Sequence, residues 1–537
     1  MALPKGIEIL PITSWENRHQ NFTQKLTKNA SFKIRNNHFL SKSSEKYKAT
    51  TKNIQWLIRH AIKNKIRLRA MGSGWSFSKV AVSEGGIIDT KSLRLSFSIS
   101  KSYVAKDYLN DGGIPENLFF SQCGMSILQL NAKLEKEKRP SRSIKASGAS
   151  NGQTIAGALS TGTHGAAYNV GALQDFVVGL HLIVGKDRHV WLERASTPIM
   201  SDKFVNWLGA ERIQDDIMFN AAIVSFGSFG FIHGVLIETE PKFLLEEHRI
   251  DKVAYNDALK NTMTTQNFSG IKDLMPFPEV SPDRELYHFE ILINPYDFKP
   301  NNIDKGVFIK VAYKRKYRDD YIRRERDQNG LTYGDDLLGL IQTMMDSLGT
   351  LSVKLVPSLV NLLFPLAYKE TPALEGTIGE TYNNTKFRGK VASAALGIDI
   401  KDSVQVVQEI MDIIDNGNPF PGGISLRYVK GTKALLGFTK FTKTCVLELD
   451  GVDSKLTREF YDKIWNRLEA KNIAYTLHWG KINFNLNYNR IQKMYGAAIV
   501  QHWIDSRNEL LDNNTREVFT NKFLEQCGLN KKSGIIV

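Results

Sequence analysis

Two stretches of glycine and small residues carry the residue types that build anion- and ligand-binding loops. The first, Gly72-Ser73-Gly74-Trp75-Ser76, follows a segment at 66–70 that alternates apolar and basic residues. Glycines at a strand end let successive backbone N–H groups turn inward, and such a concavity holds a phosphate. The second runs Ser147-Gly148-Ala149-Ser150, then Gln153-Thr154-Ile155-Ala156-Gly157, then Ser160-Thr161-Gly162-Thr163-His164-Gly165. Side chains this small allow backbone to lie against a flat ligand. Neither stretch completes the dinucleotide or Walker fingerprint. The chain has no His-Glu-x-x-His and no metal-spaced Cys/His cluster, so zinc hydrolysis has no support and no metal is expected. Taken singly, each stretch also fits a turn between elements, and His164 also fits a packed, hydrogen-bonded histidine.

Such loops need a sheet to position them. Over 50–65 the apolar residues Ile54, Leu57, Ile58, Ala61 and Ile62 recur at three- and four-residue steps, which predicts an amphipathic helix. Strands are expected at 66–70 and 87–88, at 117–123, and at 231–237 after the loop Gly227-Ser228-Phe229-Gly230. A hairpin is expected over 176–192, turning at Gly185-Lys186-Asp187. These define an α+β domain at 45–240, after an N-terminal extension at 1–44. A second α+β domain follows at 241–450, with strands at 287–294, 391–400, 424–429 and 444–449 and a helix at 403–414. An insertion at about 300–385 interrupts it, basic over 310–327 and apolar over 337–368. Helices at 456–468 and 490–511 form a closing segment, 451–537, expected to complete the site.

A chain of 537 residues, 42% hydrophobic, can bury more than one large core. Its net charge of +15 suits an anionic partner such as a phosphorylated cofactor or a membrane surface. The basic residues are scattered and no nucleic-acid-binding signature is present, so nucleic acid is not an expected partner. Cys123, Cys445 and Cys527 lie far apart, and Pro4, Glu8, Pro11 and Glu16 break any signal-peptide core, so the expected location is cytoplasmic. In the apolar stretch, Asp346, Lys354, Pro357 and Pro365 leave no uncharged run of the roughly 18 residues that span a bilayer. The adjoining basic strip suits peripheral contact with an anionic membrane, with core packing as the plainer expectation.

Together, the two small-residue stretches and the segment 171–184 behind them resemble the flavin domain of the vanillyl-alcohol-oxidase superfamily of FAD oxidoreductases. The tract 153–165 is the most specific part. His478-Trp479-Gly480-Lys481 resembles the signature of the aldonolactone and alditol oxidase branch, and Tyr495 and residues 507–524 resemble its closing helices. The resemblance implies a two-subdomain FAD-binding domain with an α+β substrate, or cap, domain. It places Gly72, Ser73, Gly74, Trp75 and Ser76 on the FAD diphosphate. It places Ser150, Thr154, Gly157, Thr161, Gly162, His164 and Gly165 along the flavin, and Ile232 on the adenosine side. Trp75 stands where many members carry a histidine bonded covalently to the flavin, so non-covalent FAD is expected. In the sugar-oxidising members a Glu-x-Arg strand and the lysine of His-Trp-Gly-Lys face the substrate. Arg427 and Lys481 match, with His478 beside them, while Ser425 takes the glutamate's place.

The function these expectations describe is hydride transfer from a hydroxyl-bearing carbon of a small molecule, a sugar lactone or polyol, to FAD, with oxygen or another acceptor reoxidising the flavin. The competing class is a flavin-binding scaffold that has lost turnover and uses its basic surface on a membrane. Ser425 in the acid's place is the feature that favours it.

Overall fold

The computed structural model describes residues 3–532 apart from 278, 280, 282, 323–355, 384–390 and 418–419. Three sheets carry the architecture. In the first, the strands Ile7–Leu10, Ser31–Arg35, Gly86–Ser92 and Leu68–Met71 lie side by side in that order. Both pairings of Gly86–Ser92 are parallel, to Ser31–Arg35 and to Leu68–Met71. Two of these strands precede residue 45, so the N-terminal segment is part of the layer that carries the first glycine loop.

The helix Ser43–Asn64 covers this sheet. It starts seven residues before the expected helix because Tyr47, Thr50 and Thr51 are buried along with Ile54, Leu57, Ile58 and Ala61. It ends where Lys65 turns left-handed, at φ 53°, and returns its N–H to Ala61 O and Ile62 O.

The second sheet orders Glu211–Gln214, His189–Glu193, Val177–Ile183, Phe231–Glu238, Leu118–Gln122 and Ser96–Ser98. The expected hairpin is present, with Leu180 opposite Leu192. The third sheet has eight strands, in the order Thr371–Gly376, Phe243–Val253, Val307–Lys316, Glu285–Ile293, Gly422–Lys430, Lys443–Val452, Val391–Asp399 and Tyr475–Leu477. Two of them, Val307–Lys316 and Thr371–Gly376, fall inside the span read as an insertion. They pair with Phe243–Val253 and belong to the sheet.

The basic strip is therefore only partly a solvated face. Lys314 pairs with Glu240, Arg315 with Glu246 and Glu375, and Arg318 with Glu375. Of the apolar stretch, Val356–Tyr368 is helical. It buries Val360, Phe364, Ala367 and Tyr368 while Leu362 and Leu366 stay 62% and 57% exposed. The remainder of the basic strip and of the apolar stretch lies outside the described residues. Among the described residues no helix is long and apolar enough to cross a membrane.

The expected single helix at 490–511 is two, Tyr488–Tyr495 and Ala497–Leu510, broken at Gly496 with φ 88°. A left-handed residue ends one helix, and the chain starts the next in a new direction. The second helix packs on Asp216–Ala222 of the flavin-loop domain. One apolar core runs from that domain through the eight-stranded sheet, so both sides of the site rest on one packed body.

Candidate active site

The two small-residue stretches lie against each other. A Cβ at Gly72 would meet Thr154 Oγ1 at 2.1 Å, and one at Gly152 would meet the Trp75 ring at 2.4 Å. Only glycine permits that approach. Between the loops runs a cavity of about 170 Å³ that opens to solvent. Its walls include Gly72, Ser73, Gly74, Trp75 and Ser76 on one side and Ser150, Thr154, Gly157, Thr161 and His164 on the other, with Ile232 further along. Gly162 and Gly165 support the wall: Gly162 turns left-handed at φ 73°, and a Cβ on Gly165 would strike Ser147 O.

The loop Gly148-Ala149-Ser150-Asn151-Gly152 has the spacing of a serine-esterase elbow, a match the sequence reading passes over. It does not join a strand to a helix, the geometry such an elbow needs, and among the described residues no histidine bonds Ser150.

One end of the cavity is charged and buried. Arg427, Glu448, His478 and Lys481 line it with His164. Arg427 comes from the strand Gly422–Lys430 and Glu448 from Lys443–Val452. Arg427 Nη1 lies 2.7 Å from Glu448 Oε2, while its Nε donates to Glu290 Oε1 at 2.8 Å. Lys481 Nζ lies 3.2 Å from Glu448 Oε1 and donates to Ser393 Oγ at 2.6 Å. Burial pushes the Glu448 carboxyl up, but Arg427 and Lys481 outweigh it and leave it down at about 2. Glu290, held by Arg427 and Lys310, is likewise well below the usual carboxylate range despite its burial.

The two histidines are neutral. Burial lowers His164 to about 4 and His478 well below its ordinary value. His164 Nδ1 lies 3.0 Å from Gly165 O, which only accepts, so Nδ1 carries the proton and Nε2 has a free lone pair. That lone pair stands 3.6 Å from Glu448 Oε1. Two acceptors thus face the same space. His478 Nδ1 accepts from the Gly480 N–H at 2.9 Å, so its Nε2 carries the proton.

The sequence reading misses Glu448, Glu290, Arg69 and His19. Glu448 had a signal: it is a lone carboxylate in the strand interior Cys445-Val446-Leu447-Glu448-Leu449, and a buried charge of that kind needs a partner. His19 had none, because it reaches the cavity from a loop far from the glycine motif. There it stacks on Phe77 at 4.1 Å and meets Trp75 edge-on at 5.6 Å.

A flat, diphosphate-bearing cofactor fits this cavity. The Trp75 Nε1–H is buried with no acceptor among the described residues, and the walls are glycine and small polar residues. Residues 47–193 match the family described as FAD binding domain. Over 192 residues the chain is 26% identical to L-gulono-1,4-lactone dehydrogenase of Mycobacterium tuberculosis, in strain CDC 1551 / Oshkosh and again in strain H37Rv. That match covers 36% of this chain and 36% of each relative, so the chain is aligned with about a third of their length. Among solved structures, cholesterol oxidase from B. sterolicum superposes with a TM-score of 0.68 at 15% identity, covering 98% of this chain and 99% of that one. A solvent-stable cholesterol oxidase gives 0.61 at 13% identity, over 98% and 99%. The fold is thus that of the vanillyl-alcohol-oxidase type, and the cofactor is FAD. Over those 192 residues the match to a lactone dehydrogenase agrees with the resemblance to the aldonolactone oxidase branch. Among the described residues no group of three or more His, Cys, Asp or Glu is placed to hold a metal ion.

Proposed function

We propose that this protein is an FAD-dependent oxidoreductase that converts a CH–OH group of a small molecule to a carbonyl. The observation that carries the reading is the ionised Glu448 carboxylate held by Arg427 and Lys481 at the end of the flavin cavity. Bound FAD supplies the hydride acceptor, which oxygen or another acceptor reoxidises. The substrate hydroxyl approaches the Lys481–Glu448 pair from the cavity, within reach of the ammonium and of the two acceptors, Glu448 Oε1 and His164 Nε2. Its carbon loses a hydride and its oxygen loses the proton, which Glu448 accepts.

A carboxylate lowered to about 2 is a weak base toward an alcohol. It is strong enough here because the hydroxyl turns into a protonated carbonyl as the hydride leaves, and that group is a far stronger acid. As that proton passes to Glu448, Arg427 and Lys481 stabilise the partial negative charge of the forming carbonyl oxygen, an effect on the order of 3 kcal/mol for one well-placed donor. His478 Nε2–H adds a neutral donor on the same side. A sugar lactone or related polyol is the proposed substrate, supported by the lactone dehydrogenase relatives and by the charged floor of the site.

The scaffold alternative rested on Ser425, and Glu448 returns a carboxylate to the site. Anaerobic titration of the yellow protein with lactones, polyols, simple alcohols and sterols tests the proposal. Bleaching of the flavin band by one hydroxyl class supports it, whereas no bleaching by any of them defeats it.

A further inference from the structure

We infer that the loop 226–230 is a second anion-binding element of the cavity, held by Arg69, which also lines the cavity, and by Arg507, so that the loop and the Arg69 guanidinium serve the diphosphate of FAD opposite the glycine loop 72–76. Three consecutive carbonyls of this loop are drawn to guanidinium groups. Arg69 Nη1 donates to Phe226 O at 2.9 Å and also to Gly227 O, and Arg507 Nε donates to Ser228 O at 3.0 Å. In a trans peptide the carbonyl and the following N–H point in opposite directions. The N–H groups of Gly227, Ser228 and Phe229 are therefore turned away from the arginines. Ser228 N–H goes to Ser225 O. Phe226 and Gly227 are both left-handed, at φ 56° and 67°, the backbone form in which successive amides make an anion nest. Phe226, Gly227 and Gly230 line the cavity together with Gly72, Ser73 and Gly74.

Charge points the same way. Arg69 and Arg507 are each only 1% exposed, and among the described residues neither has a carboxylate within ion-pair distance. Arg69 Nε and Nη2 and Arg507 Nη1 are buried without a hydrogen-bond partner among the described residues. Burial lowers both guanidinium groups to about 9, and Arg69 further disfavours the charge on Arg507, yet both are protonated at neutral pH. Two buried cations with no carboxylate in contact, felt only at a distance by Glu84 and Glu517, are costly in the empty protein and favourable once an anion enters. A loop staple alone would work as well with neutral donors.

The test uses the full chain stripped of flavin, titrated with FAD, riboflavin and ADP by fluorescence. Arg69→Met and Arg507→Met are expected to weaken FAD and ADP at least 10-fold while riboflavin, which has no diphosphate, changes less than 3-fold. The dependence of FAD affinity on salt should become shallower, which loss of a staple would not cause. Arg69→Lys should keep most of the affinity and the wild-type salt dependence. Equal weakening of FAD and riboflavin, or no weakening of either, overturns the inference. Should the methionine variants fail to fold, Arg69→Gln retains a donor without the charge, and inorganic pyrophosphate must raise the melting temperature of the flavin-free wild type. Failure of pyrophosphate to do so, or wild-type FAD affinity in Arg69→Gln, overturns it equally.

Discussion

Ser425 and Glu448 stand directly opposite each other on neighbouring antiparallel strands. Opposed residues project to the same face of a sheet, so the two side chains serve one space. Arg427, two residues beyond Ser425, shares that face and takes the Glu448 carboxylate at 2.7 Å. The acid that the Glu-x-Arg pattern places on one strand is here supplied by the next.

Glu448→Gln is therefore expected to slow anaerobic flavin reduction by about 10²- to 10³-fold, the usual cost of losing a positioned proton acceptor, with FAD content unchanged. Glu448→Ser should do the same, and the double variant Ser425→Glu, Glu448→Ser should regain a measurable part of the rate. Stopped-flow reduction reads all three. A Glu448→Gln rate within a few-fold of wild type removes Glu448 from the chemistry.

The flavin loops were legible because glycine spacing and strand alternation are local. The helix over Ile54 to Ala61, the strand carrying Arg69 and the hairpin with Leu180 opposite Leu192 all follow from short-range pattern. Register across the eight-stranded sheet was not legible. That Glu448 opposes Ser425, and Glu290 opposes Arg427, depends on pairing between strands distant in the chain. Gly496 was visible as a glycine, but its left-handed turn inside an apolar pattern was not, and two helices read as one.

Lys481→Met is expected to lower the rate of flavin reduction by about 10²-fold or more while leaving FAD content near wild type. Lys481 Nζ touches Glu448 and Ser393 at the charged end of the cavity, where the reaction is proposed. Absorbance at the flavin band and stopped-flow reduction separate the two effects. Loss of all FAD with the residual protein folded would reassign Lys481 to holding the cofactor.

FAD is expected to leave the protein on acid precipitation. Trp75, which the flavin-domain resemblance places where many members carry a covalent histidine, packs its ring against Gly152 under the Arg18 guanidinium, 4.7 Å away. An indole forms no such bond to the flavin. Cys123 lines the cavity, but burial pushes its thiol up to about 12, so it carries little thiolate at neutral pH. Yellow colour in the washed pellet would contradict the prediction. It would direct attention to His19, the histidine beside Trp75.

Stability should fall as the pH drops from 7 to 5, in part through two histidines far from the reaction. His181 Nδ1 meets Tyr47 Oη at 2.7 Å and its Nε2 meets His189 at 2.9 Å, while His233 bonds Thr51 and Gln122. Burial lowers His233 to about 3 and His181 well below its ordinary value. The unfolded chain protonates both near 6.5 and the folded chain does not, so the unfolded state binds more protons and stability rises with pH. Their contribution is whole above about pH 6.5 and is lost as pH falls below it, at about 1.4 kcal/mol per unit for each histidine. Between pH 7 and 5 that is roughly 2 kcal/mol apiece. The depressed carboxylates Glu448 and Glu290 act only below about 4.5, outside this window. Urea unfolding at the two pH values measures the difference, and His233→Gln, which keeps a donor and an acceptor for Thr51 and Gln122, should reduce it by one histidine's share, roughly 2 kcal/mol, while His164 and His478, lowered likewise, still contribute. An unchanged pH dependence in His233→Gln would mean that this histidine is protonated in the folded protein.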